Sequence, residues 1–205
     1  MNTGSGRLVW AVALLGIWTV AGLHAADGTW TGAVNGAWSN TSSWQGGIVA
    51  SGAGSAATFA NQAGPVLISN DVASLKLQGL VIQGGAYTVY GQPLTFEGAT
   101  AVPHGVCVSG GTHTVGSALN VNRSIQFMTE PGATVTTTGR LDYLGGYTVT
   151  KRGGGEWAFA GTCFETNSAY YLDVVGGTFR LKPGAYFNKV GGSRENFRVG
   201  YGVNL

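Results

Sequence analysis

The acidic residues whose spacing could support chemistry are Asp142 and Asp173. Each follows a leucine and precedes a second apolar residue, so alternation along a strand would point both carboxylates outward. If the two segments are successive windings of one solenoid, the carboxylates lie one winding apart on the same face. Such a pair could serve acid–base chemistry on a polysaccharide, or hold a cation such as Ca²⁺.

Other features of the sequence favour a simpler interpretation, in which both aspartates are solvated side chains on a sheet surface. No DxD motif or histidine accompanies them, and Arg140 stands close enough to Asp142 to be its ion-pair partner. His113 aligns with Tyr87 in the repeat described below, which predicts a packed or rim residue. The sequence holds no Gly-x-Ser-x-Gly motif, phosphate-binding loop, HExxH motif or calcium-binding repeat. We therefore predict no catalytic residues, no metal site and no cofactor.

Three tryptophans, Trp30, Trp38 and Trp44, lie in a polar segment rich in Gly, Asn, Ser and Thr. One hypothesis is a carbohydrate-binding platform, because sugar rings stack on exposed aromatic faces. The favoured hypothesis is a cap over the N-terminal end of a solenoid, because terminal repeats must cover a core that would otherwise be exposed. Tryptophan contributes buried area more often than a binding site. A cap predicts contact with Phe59 and with the strand that contains Val66.

The composition excludes several classes of protein. Only 10% of the 205 residues are charged and 36 are glycine. This glycine content argues against a helical protein, since each interior glycine costs a helix about 1 kcal/mol relative to alanine. The 44% apolar content argues against disorder. The formal net charge is only +2 and the largest basic cluster is Lys151-Arg152, so we expect no nucleic-acid partner.

The two cysteines, Cys107 and Cys163, are too few for a disulfide scaffold and form no CxxC pair. We interpret both as structural residues, because a free cysteine packs as a small apolar side chain. Export would allow them to oxidise, so a disulfide between them stays open as an alternative.

Residues 1–26 have the pattern of a secretory signal peptide. Arg7 supplies a positive charge, residues 8–22 are uncharged, and Ala25 and Ala26 provide small residues at a cleavage site. The uncharged run is shorter than the ~18 apolar residues of a membrane-spanning helix, which disfavours an uncleaved anchor. We therefore predict an exported protein, extracellular, at the cell surface or associated with the outer membrane, with no membrane span after cleavage.

Self-similarity along the chain predicts the fold. Gly-Gly pairs recur at uneven intervals, and an apolar residue precedes each pair by four positions. The pairs begin at Gly84, Gly110, Gly145 and Gly176, and the apolar residues are Leu80, Val106, Leu141 and Leu172. Such recurrence predicts one winding per interval, with these apolar residues stacked in one buried row. We divide the chain into a signal peptide (1–26), a Trp-rich cap with the first winding (27–64) and β-helix repeats (65–205).

The segment from Lys151 to Leu181 resembles the autotransporter-associated β-strand repeat of secreted bacterial passenger domains. The matching residues are Lys151, Gly153, Gly155, Trp157, Gly161, Asn167, Tyr170, Val174, Gly177, Thr178 and Leu181. The resemblance implies an all-β, right-handed, single-stranded parallel β-helix, also called a β-solenoid. Because the pattern stops at Leu205 in mid-repeat, we expect the β-helix to be incomplete at its C-terminus.

These features favour an exported, non-enzymatic β-helical passenger or surface segment with a structural or adhesive role. Its partner would be a surface glycan or another cell-surface protein. The alternative is a carbohydrate-active or carbohydrate-binding parallel β-helix, similar in function to polysaccharide lyases or hydrolases. Its site would lie on the Asp142/Asp173 face or at the three tryptophans.

Overall fold

The computed structural model describes residues 25–32, 34–98, 105–165, 171–189 and 196–199. Residues 1–24 of the expected signal peptide lie outside this range, as do Asn167 and Tyr170 of the matching repeat residues. The regular secondary structure of the described chain is almost entirely β-strand, and its helical content comes from two short 3₁₀ segments, Thr41–Ser43 and Gln45–Gly47. Within the described ranges, no helix combines the length and apolar character needed to cross a lipid bilayer.

The strands are short and follow one another closely along the chain. In order they are β1 (Gly28–Trp30), β2 (Gly36–Ala37), β3 (Ala56–Phe59), β4 (Pro65–Asn70), β5 (Leu75–Leu77), β6 (Gly79–Ile82), β7 (Ala86–Gly91), β8 (Leu94–Phe96), β9 (Gly105–Val108), β10 (Thr112–Val115), β11 (Leu119–Val121), β12 (Ile125–Thr129), β13 (Thr134–Thr137), β14 (Leu141–Tyr143), β15 (Thr148–Arg152), β16 (Glu156–Phe159), β17 (Thr162–Glu165), β18 (Tyr171–Val174), β19 (Thr178–Leu181), β20 (Tyr186–Lys189) and β21 (Asn196–Val199).

These strands form three parallel sheets. Sheet I has the order β1-β3-β6-β9-β12-β15-β18-β21, sheet II the order β2-β4-β7-β10-β13-β16-β19, and sheet III the order β5-β8-β11-β14-β17-β20. From β3 onward, consecutive strands belong to different sheets and every third strand returns to the same sheet. The result is a β-solenoid of about 5 turns, which confirms the predicted fold class.

Alternation of buried and exposed side chains explains why these strands stack. In β12, Ile125, Phe127 and Thr129 are buried, whereas Gln126 and Met128 are half-buried. Each strand therefore turns one row of side chains into the winding and the other row outward. One winding cannot bury its inward row alone, so the stacking of windings buries the core and completes the backbone hydrogen bonds together.

The strand registers define windings of nearly equal length in the second half of the solenoid. In sheet II, Thr112 pairs with Thr134, Thr134 with Glu156, and Glu156 with Thr178, and the three steps are equal in sequence. The preceding step, from Thr88 to Thr114, is slightly longer. The longer windings predicted from the second, third and fourth Gly-Gly pairs are therefore wrong.

The expected single row of Leu80, Val106, Leu141 and Leu172 is also wrong. Leu80 and Val106 are partners in sheet I, but Leu141 lies in sheet III beside Leu119. Leu172 lies in sheet I and pairs with Val149, in a different row. The error arises because Gly145 lies in a turn from sheet III to sheet I, whereas the other three Gly-Gly pairs lie in turns from sheet I to sheet II.

Five of the turns from sheet I to sheet II share a feature simpler than a glycine pair. Each of the five turns that follow β6, β9, β12, β15 and β18 contains a glycine with positive φ, namely Gly85, Gly111, Gly132, Gly153 and Gly177. This left-handed conformation is accessible to glycine without steric penalty. The turn after β12 is built on Pro131-Gly132, so a search for Gly-Gly pairs overlooks it.

Candidate functional site

The three tryptophans and Phe59 form one group of rings, the Trp cluster, at the N-terminal end of the solenoid. Trp30, Trp38 and Trp44 are 0%, 0% and 2% exposed. Their ring centroids lie 6.3, 5.7 and 6.4 Å from that of Phe59. The Trp44 ring meets the rings of Trp30 and Trp38 edge to face, at 5.3 and 5.1 Å. Such edge-to-face contacts add to the stabilisation from buried area.

The indole N–H groups of the Trp cluster are satisfied within the cap. Trp38 donates to the carbonyl of Ala50 at 3.0 Å, Trp44 to that of Trp38 at 2.7 Å, and Trp30 to that of Gly32 at 2.9 Å. A sugar-binding platform requires aromatic faces that are open to solvent, and these rings present none. The cluster covers the end of the core, in contact with the Phe59 ring expected of a cap.

The two aspartates lie on different faces of the solenoid. Asp142 lies in β14 of sheet III, in register with Asn120 and Phe164. Asp173 lies in β18 of sheet I, in register with Thr150. The expected pair of carboxylates on one face is therefore not formed. The reason is the winding length, because the segments around the two aspartates occupy different sides of their windings.

The carboxylate of Asp142 forms an ion pair with Arg140, the partner predicted from the sequence. Arg140 Nε lies 2.7 Å from Asp142 Oδ2, and Asp142 is only 4% exposed. The guanidinium carbon of Arg140 also lies 5.4 Å from the centre of the Phe164 ring, in cation–π geometry. The predicted ion pair is confirmed. Asp142 is nevertheless buried, so it is not the solvated surface side chain that the sequence favoured.

A shallow groove lies on the outer face of sheet I. Val81, Cys107 and Met128 are neighbours in register across β6, β9 and β12, and Glu130 borders the same groove. Burial, reinforced by the negative charge of Glu130, raises the pKa of the Cys107 thiol to about 11. The thiol therefore stays protonated at neutral pH, which disfavours nucleophilic chemistry at this position. Cys163 is buried in sheet III, and Cys107 and Cys163 are not joined in a disulfide.

A buried histidine lies in β10, directly after the turn from β9. His113 is 1% exposed, and its ring stacks on that of Tyr87 with centroids 6.1 Å apart. Its Nδ1 accepts a hydrogen bond from the backbone N–H of Tyr87 at 3.1 Å, and its Nε2 lies 2.5 Å from the carbonyl oxygen of Gly110. The register confirms the predicted equivalence of His113 and Tyr87. The sequence pattern carried no sign that the imidazole bonds to the backbone.

A buried lysine lies beside the equivalent turn two windings later. Lys151 is 0% exposed and points inward from β15, in register with Phe127 and Val174. Its Nζ donates to the carbonyls of Arg152 at 2.6 Å, of Gly153 at 3.0 Å and of Gly176 at 3.0 Å. Burial lowers the pKa of Lys151 to about 8, against an opposing effect of the Glu130 charge.

The role of Lys151 was not predicted from the sequence, in which it stands out only as half of the basic pair Lys151-Arg152. The signal that could have located it is the alternation in β15, where Val149 and Lys151 share the inward side. Neither this turn nor the one at His113 resembles a metal centre. Among the residues that the structure describes, no group of three or more His, Cys, Asp or Glu side chains is arranged to hold a metal ion.

Comparison with known proteins gives no relative for this chain: no protein-family model, curated protein or solved structure matches it.

Proposed function

We propose that this chain is an exported, non-enzymatic β-solenoid segment that serves as a rigid structural part of a passenger-type surface protein. The observation that carries the proposal is one continuous core, which runs from the Trp cluster through the stacked windings. In such a solenoid each winding packs on its two neighbours, so the array behaves as a stiff, one-dimensional rod. The resemblance of residues 151–181 to the autotransporter-associated β-strand repeat supports the same role.

The charged side chains on the outer faces fit a structural role. Ion pairs join Lys76 to Glu97 at 2.8 Å, Arg140 to Asp142 at 2.7 Å and Arg180 to Glu156 at 2.9 Å. The first and third of these pairs connect adjacent windings. These two pairs are partly exposed, and pairs of this kind contribute at most about 1 kcal/mol each, so most of the stability comes from the core.

An adhesive role is the second part of the proposal, with a surface glycan or another cell-surface protein bound along the lateral faces. The alternative of a carbohydrate-active β-helix rested on the Asp142/Asp173 pair and on exposed tryptophans. The aspartates lie on different sheets and the tryptophans are buried, so neither feature supports that alternative.

Export is tested with a reporter that is active only outside the cytoplasm. Residues 1–60 are fused to alkaline phosphatase without its own signal peptide and expressed in a bacterial host. We expect an active, cleaved fusion whose mature chain begins near Ala26. Leu14→Arg places a charge in the uncharged run and should reduce phosphatase activity at least tenfold, whereas Thr3→Arg adds the same charge ahead of the run and should leave activity unchanged.

The structural role is tested separately on the purified mature chain. Small-angle scattering should show a rod whose length does not change with ionic strength, and a glycan array and a surface-protein pull-down should identify any adhesive partner. An inactive cytoplasmic fusion would contradict export. Hydrolysis or elimination of a polysaccharide by the purified chain would contradict the non-enzymatic role.

A further inference from the structure

We propose that His113 makes the solenoid acid-sensitive at one seam, the contact between β7 and β10. The neutral ring completes the backbone hydrogen bonding of this seam, and protonation of the ring breaks it and opens the seam locally. The inference does not depend on the proposed function, since it concerns only how two windings are joined.

The ladder between β7 and β10 stops early, and the histidine ring continues it. The two strands pair only at Thr88 with Thr114 and at Val89 with Val115. On either side, β7 pairs with β4 at six positions and β10 pairs with β13 at four. At the next position along this ladder, the N–H of Tyr87 donates to His113 Nδ1 instead of to a backbone carbonyl. A buried N–H must find an acceptor, and here the acceptor is a side chain that can titrate.

The two bonds of the ring define its protonation state. Because Nδ1 accepts from a backbone N–H, it carries no proton, so the proton of the neutral ring is on Nε2. Nε2–H then donates to the carbonyl oxygen of Gly110 at 2.5 Å. An imidazolium has a proton on both nitrogens and cannot accept. Protonation therefore turns the contact with the Tyr87 N–H from an attraction into a repulsion between two donors.

Among the residues that the structure describes, the groups that face the ring offer no negative charge to compensate for its protonation. On β7 the facing group is Tyr87, whose pKa burial raises to about 12, so its phenol is neutral and donates to the carbonyl of Ala60. On β13 the residue in register is the apolar Val135, and the turn itself is Gly110-Gly111. The Gly110 carbonyl is satisfied equally by the neutral ring. Burial accordingly lowers the pKa of His113 below its ordinary value, and the bond to Gly110 opposes this only in part.

The direction of the pH effect follows from these contacts. The unfolded or opened chain binds a proton at the ordinary histidine pKa of about 6.5, whereas the closed seam binds it only at lower pH. The contribution of the neutral ring is therefore complete above about pH 6.5 and is lost as the pH falls through the lower, closed-state pKa. The opening is confined to this seam because the same two windings remain joined by the β6–β9 ladder in sheet I and the β8–β11 ladder in sheet III.

The experiment is amide hydrogen exchange of the full mature chain by NMR between pH 7.5 and 5.0, expressed as protection factors. We expect the protection of the Tyr87 amide to fall at least tenfold over this range while the amides of β16 keep theirs. His113→Gln offers an acceptor oxygen and does not titrate, so the Tyr87 amide should become insensitive to pH. His104→Gln removes a different histidine and should leave the wild-type response intact.

A second measurement covers the case in which His113→Gln does not fold. The ring signals of His113 in the wild-type chain should titrate with a midpoint below about 6.5, together with the loss of Tyr87 protection. The proposal is overturned by an unchanged Tyr87 protection factor, by a fall that persists in a folded His113→Gln chain, or by a titration midpoint at or above that of a solvent-exposed histidine.

Discussion

The turns at Gly111 and at Gly153 both bring a basic side chain into the core beside backbone groups, but they use it in opposite ways. At the first turn, His113 supplies an acceptor for a backbone N–H and must be neutral to do so. At the second turn, Lys151 supplies donors to three carbonyl oxygens, one of which belongs to the next winding. At equivalent corners of the solenoid, the backbone hydrogen bonding is therefore completed once by an acceptor, His113 Nδ1, and once by a donor, Lys151 Nζ.

This difference shows that a β-solenoid corner can take either chemistry, provided that the backbone groups leaving the ladder are satisfied. The two corners should respond differently to pH. Acid removes the acceptor of His113, while the ammonium of Lys151 keeps its donors. Substitutions at the Lys151 corner test this difference. Their controls are positions that share the backbone conformation or the residue type of the corner but not its contacts.

The largest effect is expected for Gly177→Ala, compared with Gly132→Ala. Both glycines have positive φ, +70° and +81°, in turns from sheet I to sheet II. A Cβ at Gly177 would overlap the carbonyl oxygens of Gly153 and Gly155 and lie 2.8 Å from Lys151 Nζ, whereas a Cβ at Gly132 has no atom within 4 Å. Gly132→Ala should lower the free energy of unfolding by about 1 kcal/mol, because only the backbone conformation is strained. Gly177→Ala should lower it by about 3 kcal/mol or more, because the added Cβ also overlaps its neighbours.

Urea unfolding of both variants gives this comparison directly. Equal losses of unfolding free energy in the two variants would mean that the groups around Lys151 Nζ move aside at no cost. The corner would then not be tightly packed.

An intermediate effect is expected for Lys151→Met, which keeps the apolar stem and removes the donors. The three carbonyls lose charge-assisted hydrogen bonds, while the cost of burying the amine is relieved. We expect a net loss of about 2 kcal/mol in the free energy of unfolding at pH 7. Lys182→Met is the matched control, because Lys182 is exposed and its loss should change stability by less than about 0.5 kcal/mol. A Lys151→Met chain as stable as the control would show that the three hydrogen bonds contribute nothing.

The smallest effect is expected from alkaline pH. The pKa of Lys151 is about 8 in the folded chain and 10.5 ordinarily, so the folded state holds the proton less tightly than the unfolded state. The resulting penalty is complete below pH 8 and is relieved as the pH rises towards 10.5. Between pH 7 and 9 this relief should stabilise the protein by about 1 kcal/mol.

Thermal melts of the wild type and of Lys151→Met at the two pH values isolate this contribution, because other titrating groups act on both chains alike. A pH response of the same size in the variant would place the titrating group elsewhere.

Much of the fold could be predicted from the sequence, because it depends on local rules. Alternation in segments such as Leu80-Val81-Ile82 predicts strands, and the glycine turns predict windings in place of hairpins. The length of a winding could not be predicted reliably, because single glycines, pairs and a Pro-Gly all make the same turn. Because of this ambiguity, the alignment of the Gly-Gly pairs assigned Leu141 to the wrong row and wrongly predicted that Asp142 and Asp173 share one face.

Predictions about individual residues succeeded where the contact is close in sequence, or where the repeat or the cap indicated it, as for His113 beside Tyr87 and Trp38 beside Phe59. Arg140 and Asp142 are separated by a single residue, and their pairing was foreseen. The contacts of His113 with Tyr87 and of Lys151 with Gly176 join residues a full winding apart, and they depend on which windings stack.

The β class, the inward and outward sides of each strand and the positions of glycine turns are properties of the sequence, since each follows from nearest-neighbour sterics and from hydrophobic alternation. The register between windings, the early end of the β7–β10 ladder and the hydrogen bond from Lys151 to the next winding are decided by the tertiary structure. The physical reason is that a residue's partner above or below it in a solenoid is a full winding away along the chain. Which backbone groups go without a ladder partner, and therefore which side chain must satisfy them, is settled only when the windings pack together.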